Sequence, residues 1–247
     1  MPRGYRTAPL GSLEVPGCPY SVRVLRVGYN RPQPDGSVLA DGSVTLVSGG
    51  PVTALVDTGG PWDAPLLPAL LGAHGVTPRD VTHLVVTHGH SDHAGNLNLF
   101  PRATTLVGFD LSRGEGVYLP HGLAQGVPLP LDPPFLEVLP TPGHVRAHVS
   151  LVARGTSLGT VVVAGDLFER EGDEGEWGAL SEDPREQRRS RRRVVAVADV
   201  IVPGHGPPFR VFRDHQEGDE DGDSEGDGDG DDEVVAGGGT EGRGDEE

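Results

Sequence analysis

The sequence predicts an α+β protein in which strand after strand runs into a turn that carries an imidazole or a carboxylate. Short apolar runs rich in valine recur, such as "VTLV" and "TVVVAGD", whereas only two segments have clear helical spacing. Five strand ends carry His or Asp beside a glycine or a turn: Asp57, His88, His144, Asp166 and His205. Because the ends of neighbouring strands converge, we expect these side chains to meet.

The individual elements follow from local patterns. The segment "YSVRVLRVGY" alternates like a half-buried strand, and Pro184 favours a helix start, because proline is tolerated in a first helical turn. The predicted helices are 64–75 and 184–198, with a further one opening over 94–100. The predicted strands are 20–29, a hairpin over 43–60, 83–87, 104–109, 136–144, 149–154, 160–168 and 199–209.

The charge is unevenly distributed and divides the chain into three regions. The formal net charge is −17, and residues 214–247 alone hold 16 Asp and Glu against one Arg. Such a segment cannot bury a core, so we predict an acidic disordered tail at 214–247. Residues 1–16, rich in Pro and Gly, are expected to be loosely ordered. Residues 17–213 are the predicted folded domain.

Several classes of protein are disfavoured by the composition. No apolar stretch approaches the roughly 18 residues of a membrane span, and the N-terminus lacks the apolar block of a secretory signal. Cys18 is the single cysteine, so no internal disulfide can form. We therefore expect a protein of the cytosol and nucleus that is not secreted. Neither a membrane nor an organic cofactor is expected as a partner.

The segment "THLVVTHGHSDHAGN" concentrates metal-binding side chains at the end of a strand. In an extended segment residues i and i+2 point to the same side, so His88 and His90 can face one centre. The chain then turns at Ser91, and Asp92 and His93 can face a second centre. Imidazole and carboxylate suit zinc, and they also suit iron or manganese.

The motif "HGHSDH" resembles the His-x-His-x-Asp-His motif of the metallo-β-lactamase superfamily. The segments "VDTG", "TPGH", "AGD" and "PGHG" stand in the same order as that family's other motifs, and the resemblance covers about residues 20–210. It implies a four-layer αβ/βα sandwich with the metal site at one edge of the two sheets. It also implies a hydrolase that uses two Zn²⁺ ions per chain.

The resemblance carries specific roles onto this sequence. One metal is expected at His88, His90 and His144, the other at Asp92, His93 and His205, with Asp166 bridging the two. Asp92 and His93 are also the candidate catalytic residues, with Asp92 orienting the hydroxide. Asp57 is expected to accept a hydrogen bond from a ligand imidazole. Further candidates are His148, which follows His144 by four positions, and His121, which lines the cleft or is an ordinary loop histidine.

The substrate is a separate question, because one site chemistry serves many substrates. The segments "DGSVTLV", "ALSEDP" and "IVPGHGPPFRVF" resemble one member of this family. That resemblance implies a homodimeric endoribonuclease that cleaves the 3′ end of replication-dependent histone pre-mRNA. Arg185, Arg188, Arg189 and Arg192 share one helix face and are candidate contacts for single-stranded RNA, and Arg191 and Arg193 are expected to add to this face. A solvated helix face or a localisation signal would show the same pattern.

Other functions fit the same motifs. Only 38 residues separate Asp166 from His205, which leaves no room for the second domain of the large nucleases, so a glyoxalase II-like thioester hydrolase fits nearly as well. A mononuclear iron persulfide dioxygenase would need His88, His144 and Asp166 alone. The complete set of seven ligands argues against that enzyme and against a non-catalytic binding module.

Overall fold

The computed structural model describes residues 4–213, in which two β-sheets pack face to face. The order of the first sheet is β1 (Tyr5–Pro9), β17 (Phe209–Arg213), β16 (Val200–Pro203), β15 (Gly159–Gly165), β14 (Val149–Thr156), β13 (Leu136–Pro140) and β12 (Leu129–Asp132). The order of the second is β11 (Val117–Tyr118), β10 (Asp110–Arg113), β9 (Thr104–Val107), β8 (His83–Val86), β7 (Ala54–Val56), β6 (Val44–Ser48), β3 (Ser21–Arg26) and β2 (Glu14–Val15). A separate hairpin joins β4 (Tyr29–Pro32) to β5 (Val38–Asp41).

The central strands of each sheet are buried on both faces, which explains the continuous apolar runs. In β15, Val161 and Val163 face the core between the sheets, whereas Val162 packs on the outer side with Val194. Val194 belongs to helix α2 (Pro184–Val197). The two sets of contacts place a helix, a sheet and the central core in successive layers.

The second sheet repeats this arrangement with the other helix. Ala54 and Val56 of β7 face the central core, whereas Leu55 between them packs with Leu67 and Leu71 of helix α1 (Leu67–Gly72). The order of layers is therefore helix, sheet, sheet, helix. The predicted four-layer αβ/βα sandwich is confirmed.

Helix α2 begins where the sequence predicts it. The side chain of Asp183 accepts hydrogen bonds from the backbone N–H groups of Arg185 and Glu186, which satisfies two of the free donors of the first turn. Pro184 is the first helical residue. The buried side of the helix includes Ser190, whose hydroxyl donates to the carbonyl of Pro142. This contact joins α2 to the loop after β13.

The structure differs from the sequence prediction at several places. Residues 5–9 are not loosely ordered, because they form the edge strand β1, paired with β17 from the far end of the domain. A pairing over such a sequence distance leaves no local signal. The predicted strand 20–29 is divided into β3 and β4, and 94–100 contains only a 3₁₀ turn at Leu97–Leu99. The predicted tail 214–247 lies outside the described residues. Within residues 4–213, no helix is both long and apolar enough to cross a membrane.

Candidate metal centre

Two pairs of parallel strands direct predicted site residues to one edge of the sandwich. In the second sheet β7 and β8 run parallel, and Asp57 and His88 follow their carboxyl ends. In the first sheet β15 and β16 run parallel, and Asp166 and His205 follow them. Parallel strands end at the same edge of a sheet, so each pair delivers two polar side chains to the same place.

The first group of potential ligands consists of His88, His90, His144 and Asp166, with their ligand atoms within 4.8 Å of one another. Nε2 of His88 lies 2.8 Å from Nδ1 of His90, which in turn lies 3.3 Å from Nε2 of His144. Oδ2 of Asp166 lies 3.5 Å from Nε2 of His88 and 3.3 Å from Nε2 of His144. His90 alone in the group is exposed to solvent.

The second group consists of Asp92, His93 and His205 and lies on the other side of Asp166. Nε2 of His93 is 3.8 Å and Nε2 of His205 is 3.7 Å from Oδ2 of Asp92. Asp166 reaches this group as well: Oδ1 is 3.2 Å from Nε2 of His93, and Oδ2 is 3.3 Å from Nε2 of His205. Asp166 is thus the side chain that the two groups share.

Gly204 permits this close approach, because a Cβ atom there would lie 1.8 Å from Oδ1 of Asp166. No other residue fits between β16 and Asp166 without displacing the carboxylate. The close approach of Asp166 therefore explains the glycine before His205 in "PGHG".

Asp57 is connected by hydrogen bonds to one histidine of each group. It adopts a left-handed backbone conformation, with φ of 58°, and accepts hydrogen bonds from the backbone N–H and the hydroxyl of Thr87 at 2.7 and 2.9 Å. Its Oδ2 also lies 2.8 Å from Nδ1 of His93. Because the Thr87 hydroxyl donates to Asp57, it accepts from Nδ1 of His88 at 3.0 Å. Asp57 thereby fixes the tautomer in which Nε2 of both histidines is free to bind a metal.

The other ligand histidines differ in how their second nitrogen is held. Nδ1 of His205 lies 3.0 Å from the carbonyl oxygen of Asp41, to which it donates. Nδ1 of His144, by contrast, is buried and has no hydrogen-bond partner among the described residues. Oε1 of Glu169 lies 3.9 Å from this nitrogen.

Glu169 is a member of the site that the sequence analysis missed. It is only 2 % exposed, and neither of its carboxylate oxygens has a hydrogen-bond partner within the described part of the chain. Its other oxygen, Oε2, lies 3.9 Å from Nε2 of His205, so Glu169, Asp166 and His205 form a third cluster able to hold a metal. Its place three positions after a strand-end aspartate was the one signal available.

The pKa shifts divide the histidines between the two groups. Burial lowers the pKa of His88 well below its usual range and also lowers the pKa of His144. For His93 and His205 burial acts in the same direction, but the neighbouring carboxylates together outweigh it. Asp166 contributes most to both, with Asp57 adding to the effect on His93 and Glu169 to that on His205, so the pKa of His93 is raised well above the usual range and that of His205 to about 9. Metal binding at the second group must therefore displace protons.

The donor set suits divalent metals. Five imidazoles and two carboxylates converge through nitrogen and oxygen atoms separated by only 2.8 to 3.8 Å. Nitrogens that face one another this closely can share a proton at most, whereas a cation between them satisfies all of their lone pairs. Imidazole and carboxylate are the ligands that zinc and other first-row metals take in proteins.

His148 and His121 occupy very different positions. His148 is fully buried, its ring stacks on that of His88 at 5.3 Å, and burial lowers its pKa to about 3. Its Nδ1 lies 3.0 Å from the hydroxyl of Thr141. His121 accepts a hydrogen bond from the backbone of Leu123 in its own loop and belongs to neither ligand group.

The arginines of α2 do not form one surface. Arg185, Arg188, Arg189 and Arg192 are exposed, as a helix face in contact with RNA requires. Arg191 instead turns inward, is 7 % exposed and is paired with Asp173, to which its Nη1 donates at 2.9 Å. Arg191 therefore cannot be added to the exposed row.

A cleft of about 800 Å³ opens beside the second ligand group. One wall is the β4–β5 hairpin with Tyr29 and Arg31, and the other is formed by the segment from Glu169 to Leu180. His205 lies in its lining, so a molecule in the cleft reaches the candidate metal centre directly.

Comparison with known proteins agrees with the fold. The family model of the metallo-β-lactamase superfamily matches residues 39–205, which contain all seven predicted ligands. The chain belongs to this superfamily, and its members are in general metal-dependent hydrolases.

Individual members of the superfamily resemble this chain to different degrees. The chain is 56 % identical over 213 residues to a Xenopus laevis protein named metallo-beta-lactamase domain-containing protein 1, covering 86 % of this chain and 91 % of the relative. It is 38 % identical over 119 residues to hydroxyacylglutathione hydrolase of Anaeromyxobacter dehalogenans, covering 48 % of this chain and 44 % of the relative. The metallo-β-lactamase of Hirschia baltica matches with a TM-score of 0.55 and 15 % identity over 84 % of this chain and 93 % of its own, and it supports the fold alone.

Proposed function

We propose that this protein is a dinuclear zinc hydrolase that cleaves phosphodiester bonds in single-stranded RNA, with the 3′ end of replication-dependent histone pre-mRNA as substrate. The observation that supports the hydrolase most directly is the pair of ligand groups that share Asp166. The RNA substrate rests on the resemblance described from the sequence.

The side chains of the site would have different roles in such a reaction. Two bound Zn²⁺ ions would supply a hydroxide near neutral pH and positive charge for the developing oxyanion. His88, His90 and His144 would hold one ion, Asp92, His93 and His205 the other, and Asp166 both. Asp92 is half-buried at the open side of the site, where it can accept a hydrogen bond from the attacking water and orient it.

The surroundings supply positive charge for a polyanion. Arg31 lies in the wall of the cleft beside His205, and the guanidinium of Arg31 stacks over the ring of Tyr29 at 4.7 Å. An aromatic ring and an arginine side by side suit a base and its phosphate. Arg188 and Arg192 extend the positive surface along α2 and would contact phosphates farther from the scissile bond.

A thioester hydrolase of the glyoxalase II type is the second candidate. It is favoured by the 38 % identity to a hydroxyacylglutathione hydrolase, which covers about half of this chain. The cleft would then accept a thiol conjugate with carboxylate groups, and Arg31 would bind one of these. A mononuclear iron dioxygenase is the third candidate, and the assembled second group with Asp92, His93 and His205 counts against it.

The remaining expectations concern the protein in the cell. We propose that it acts in the cytosol and nucleus and that it functions as a homodimer.

The experiment that tests the function compares two substrates under the same conditions. The zinc-loaded full-length protein is incubated with a single-stranded histone pre-mRNA 3′ fragment and, separately, with S-lactoylglutathione. The double variant Asp92→Ala/His93→Ala is the blank, because it loses two ligands of the second group. RNA cleavage that disappears in the blank supports the nuclease.

Other outcomes contradict the proposal in different ways. Turnover of the thioester with intact RNA assigns the protein to the thioesterases. RNA cleavage that persists in the blank points to a contaminating nuclease. Measured metal content separates these cases from an iron enzyme, since a mononuclear iron site gives one iron per chain.

A further inference from the structure

The buried histidines of the candidate metal centre have a common arrangement with one exception. His88, His93 and His205 each present Nε2 to the centre, and an acceptor holds Nδ1: the Thr87 hydroxyl, the Asp57 carboxylate and the Asp41 carbonyl, respectively. His144 also presents Nε2 to the centre, at 3.3 Å from Asp166, but its buried Nδ1 has no hydrogen-bond partner among the described residues. A neutral ligand imidazole carries a proton on that nitrogen and needs an acceptor for it.

In the described part of the structure, Glu169 lacks hydrogen-bond donors, just as Nδ1 of His144 lacks an acceptor. It is almost fully buried, and both carboxylate oxygens are without a hydrogen bond within residues 4–213. Leaving a buried carboxylate in this state is costly, because it has given up its hydration without replacement. Glu169 must therefore gain a hydrogen-bond donor or a cation as a partner when the site is complete.

The two unsatisfied groups lie side by side. Oε1 of Glu169 is 3.9 Å from Nδ1 of His144, and Oε2 is 3.9 Å from Nε2 of His205. A movement of roughly 1 Å brings the first pair to normal hydrogen-bond length. The second oxygen then remains on the His205 side, next to Asp166, where a cation would compensate its charge.

We propose that Glu169 is an additional carboxylate of the metal centre, a positioning residue that accepts the hydrogen bond from Nδ1 of His144 and places negative charge beside the metal held by His205. It lies between a histidine of the first ligand group, His144, and one of the second, His205. This inference rests on the proposed divalent metal centre and assigns a further residue to it. It does not depend on which substrate the enzyme cleaves.

Competitive titration of the metal-free full-length protein tests the proposal. Zn²⁺ affinity and stoichiometry are measured against a chromophoric chelator, and Co²⁺ is used to record the visible ligand-field spectrum. In Glu169→Met the acceptor and the charge are both removed, and we expect the metal affinity to fall by about 10- to 100-fold, as is usual when the partner of a ligand histidine is lost. Glu169→Gln keeps an oxygen acceptor and should lose less.

Controls separate a role at the metal from a role in folding. Glu171→Gln removes the same charge two residues further along the loop and should bind both metals like the wild type. The melting temperature of the metal-free Glu169 variants should be equal to or higher than that of the wild type, because an unsatisfied buried carboxylate is removed. A residue that only supports the fold would lower this temperature and leave the affinity unchanged.

The results distinguish this inference from the proposed function. Wild-type affinity, stoichiometry and Co²⁺ spectrum in both Glu169 variants overturn the inference while the metal centre stands. If Glu169→Met fails to fold, Glu169→Gln decides, and an unchanged affinity in it again overturns the inference. Fewer than two metals bound by the wild type contradicts the dinuclear function itself.

Discussion

Replacement of Asp57 by Asn is expected to weaken both metal sites without unfolding the protein. The carboxylate accepts three hydrogen bonds, from the Thr87 backbone and hydroxyl and from Nδ1 of His93, at 2.7 to 2.9 Å. The backbone N–H of Thr87 can only donate, so the amide oxygen of Asn must face it. The amide NH₂ then faces the Thr87 hydroxyl and His93, where the wild type has an acceptor.

The magnitude follows from the tautomer that this change favours. An NH₂ group donates to Nδ1 of His93 and leaves the proton on Nε2, the nitrogen that should bind metal. In the metal-binding tautomer the variant lacks the wild-type hydrogen bond from Nδ1 of His93 to a charged carboxylate. Such a bond is worth about 1.5–3 kcal/mol, which corresponds to roughly a 10- to 100-fold loss of affinity. The fold should persist, because Asn tolerates the left-handed conformation of position 57.

Thr87→Val is the matched control for this prediction. It removes the hydroxyl that connects Asp57 to His88 and leaves the contact with His93 in place. Zn²⁺ titration should therefore show one weakened site in Thr87→Val and two in Asp57→Asn, and the ¹⁵N shifts of the imidazoles report the tautomers directly. Two metals bound by Asp57→Asn with wild-type affinity would refute the reasoning.

Two further predictions concern stability and RNA binding. The Tyr20 hydroxyl donates to Asp132 at 2.6 Å, and burial raises the pKa of Tyr20 to about 12, so wild-type stability should fall as the pH rises from about 10 to 12. Tyr20→Phe should lose about 1–3 kcal/mol of stability at neutral pH and show a weaker alkaline decline. Urea titrations in which wild type and variant lose stability equally with pH would contradict this. Arg191→Met should destabilise the fold by about 3 kcal/mol, because it leaves Asp173 buried without its partner. Arg192→Gln should change stability by less than about 0.5 kcal/mol but weaken RNA binding at low salt. Equal effects of the two variants on RNA binding would argue against an exposed RNA-binding face.

Much of the architecture could be predicted because its signals are local. Valine-rich runs that end at Asp57, His88 and Asp166 indicate buried strands that terminate at a common edge. The capping aspartate and Pro184 mark the start of α2 within a single turn. The four-layer arrangement, by contrast, was predicted from family resemblance, since periodicity alone does not determine how sheets stack.

The features that escaped prediction depend on distant parts of the chain. Strand β1 is stabilised by pairing with β17, some 200 residues away, and its own sequence "YRTAP" has no apolar pattern. Glu169 lies in a turn without periodicity, and only the approach of His144 and His205 makes it a site residue. The inward direction of Arg191 was accessible, however, because it shares helical spacing with the buried Val194 and Val195.

The arrangement of charges explains why the candidate metal centre destabilises the metal-free protein and why its two ligand groups depend on each other. Asp57, Asp166 and Glu169 are all buried within one cluster of imidazoles. In the metal-free protein Asp166 keeps the pKa of His93 and His205 raised, so protons take the place of cations there. One carboxylate, Asp166, faces both groups, and Asp57 orients a histidine in each. A substitution at either carboxylate is therefore expected to affect both ligand groups.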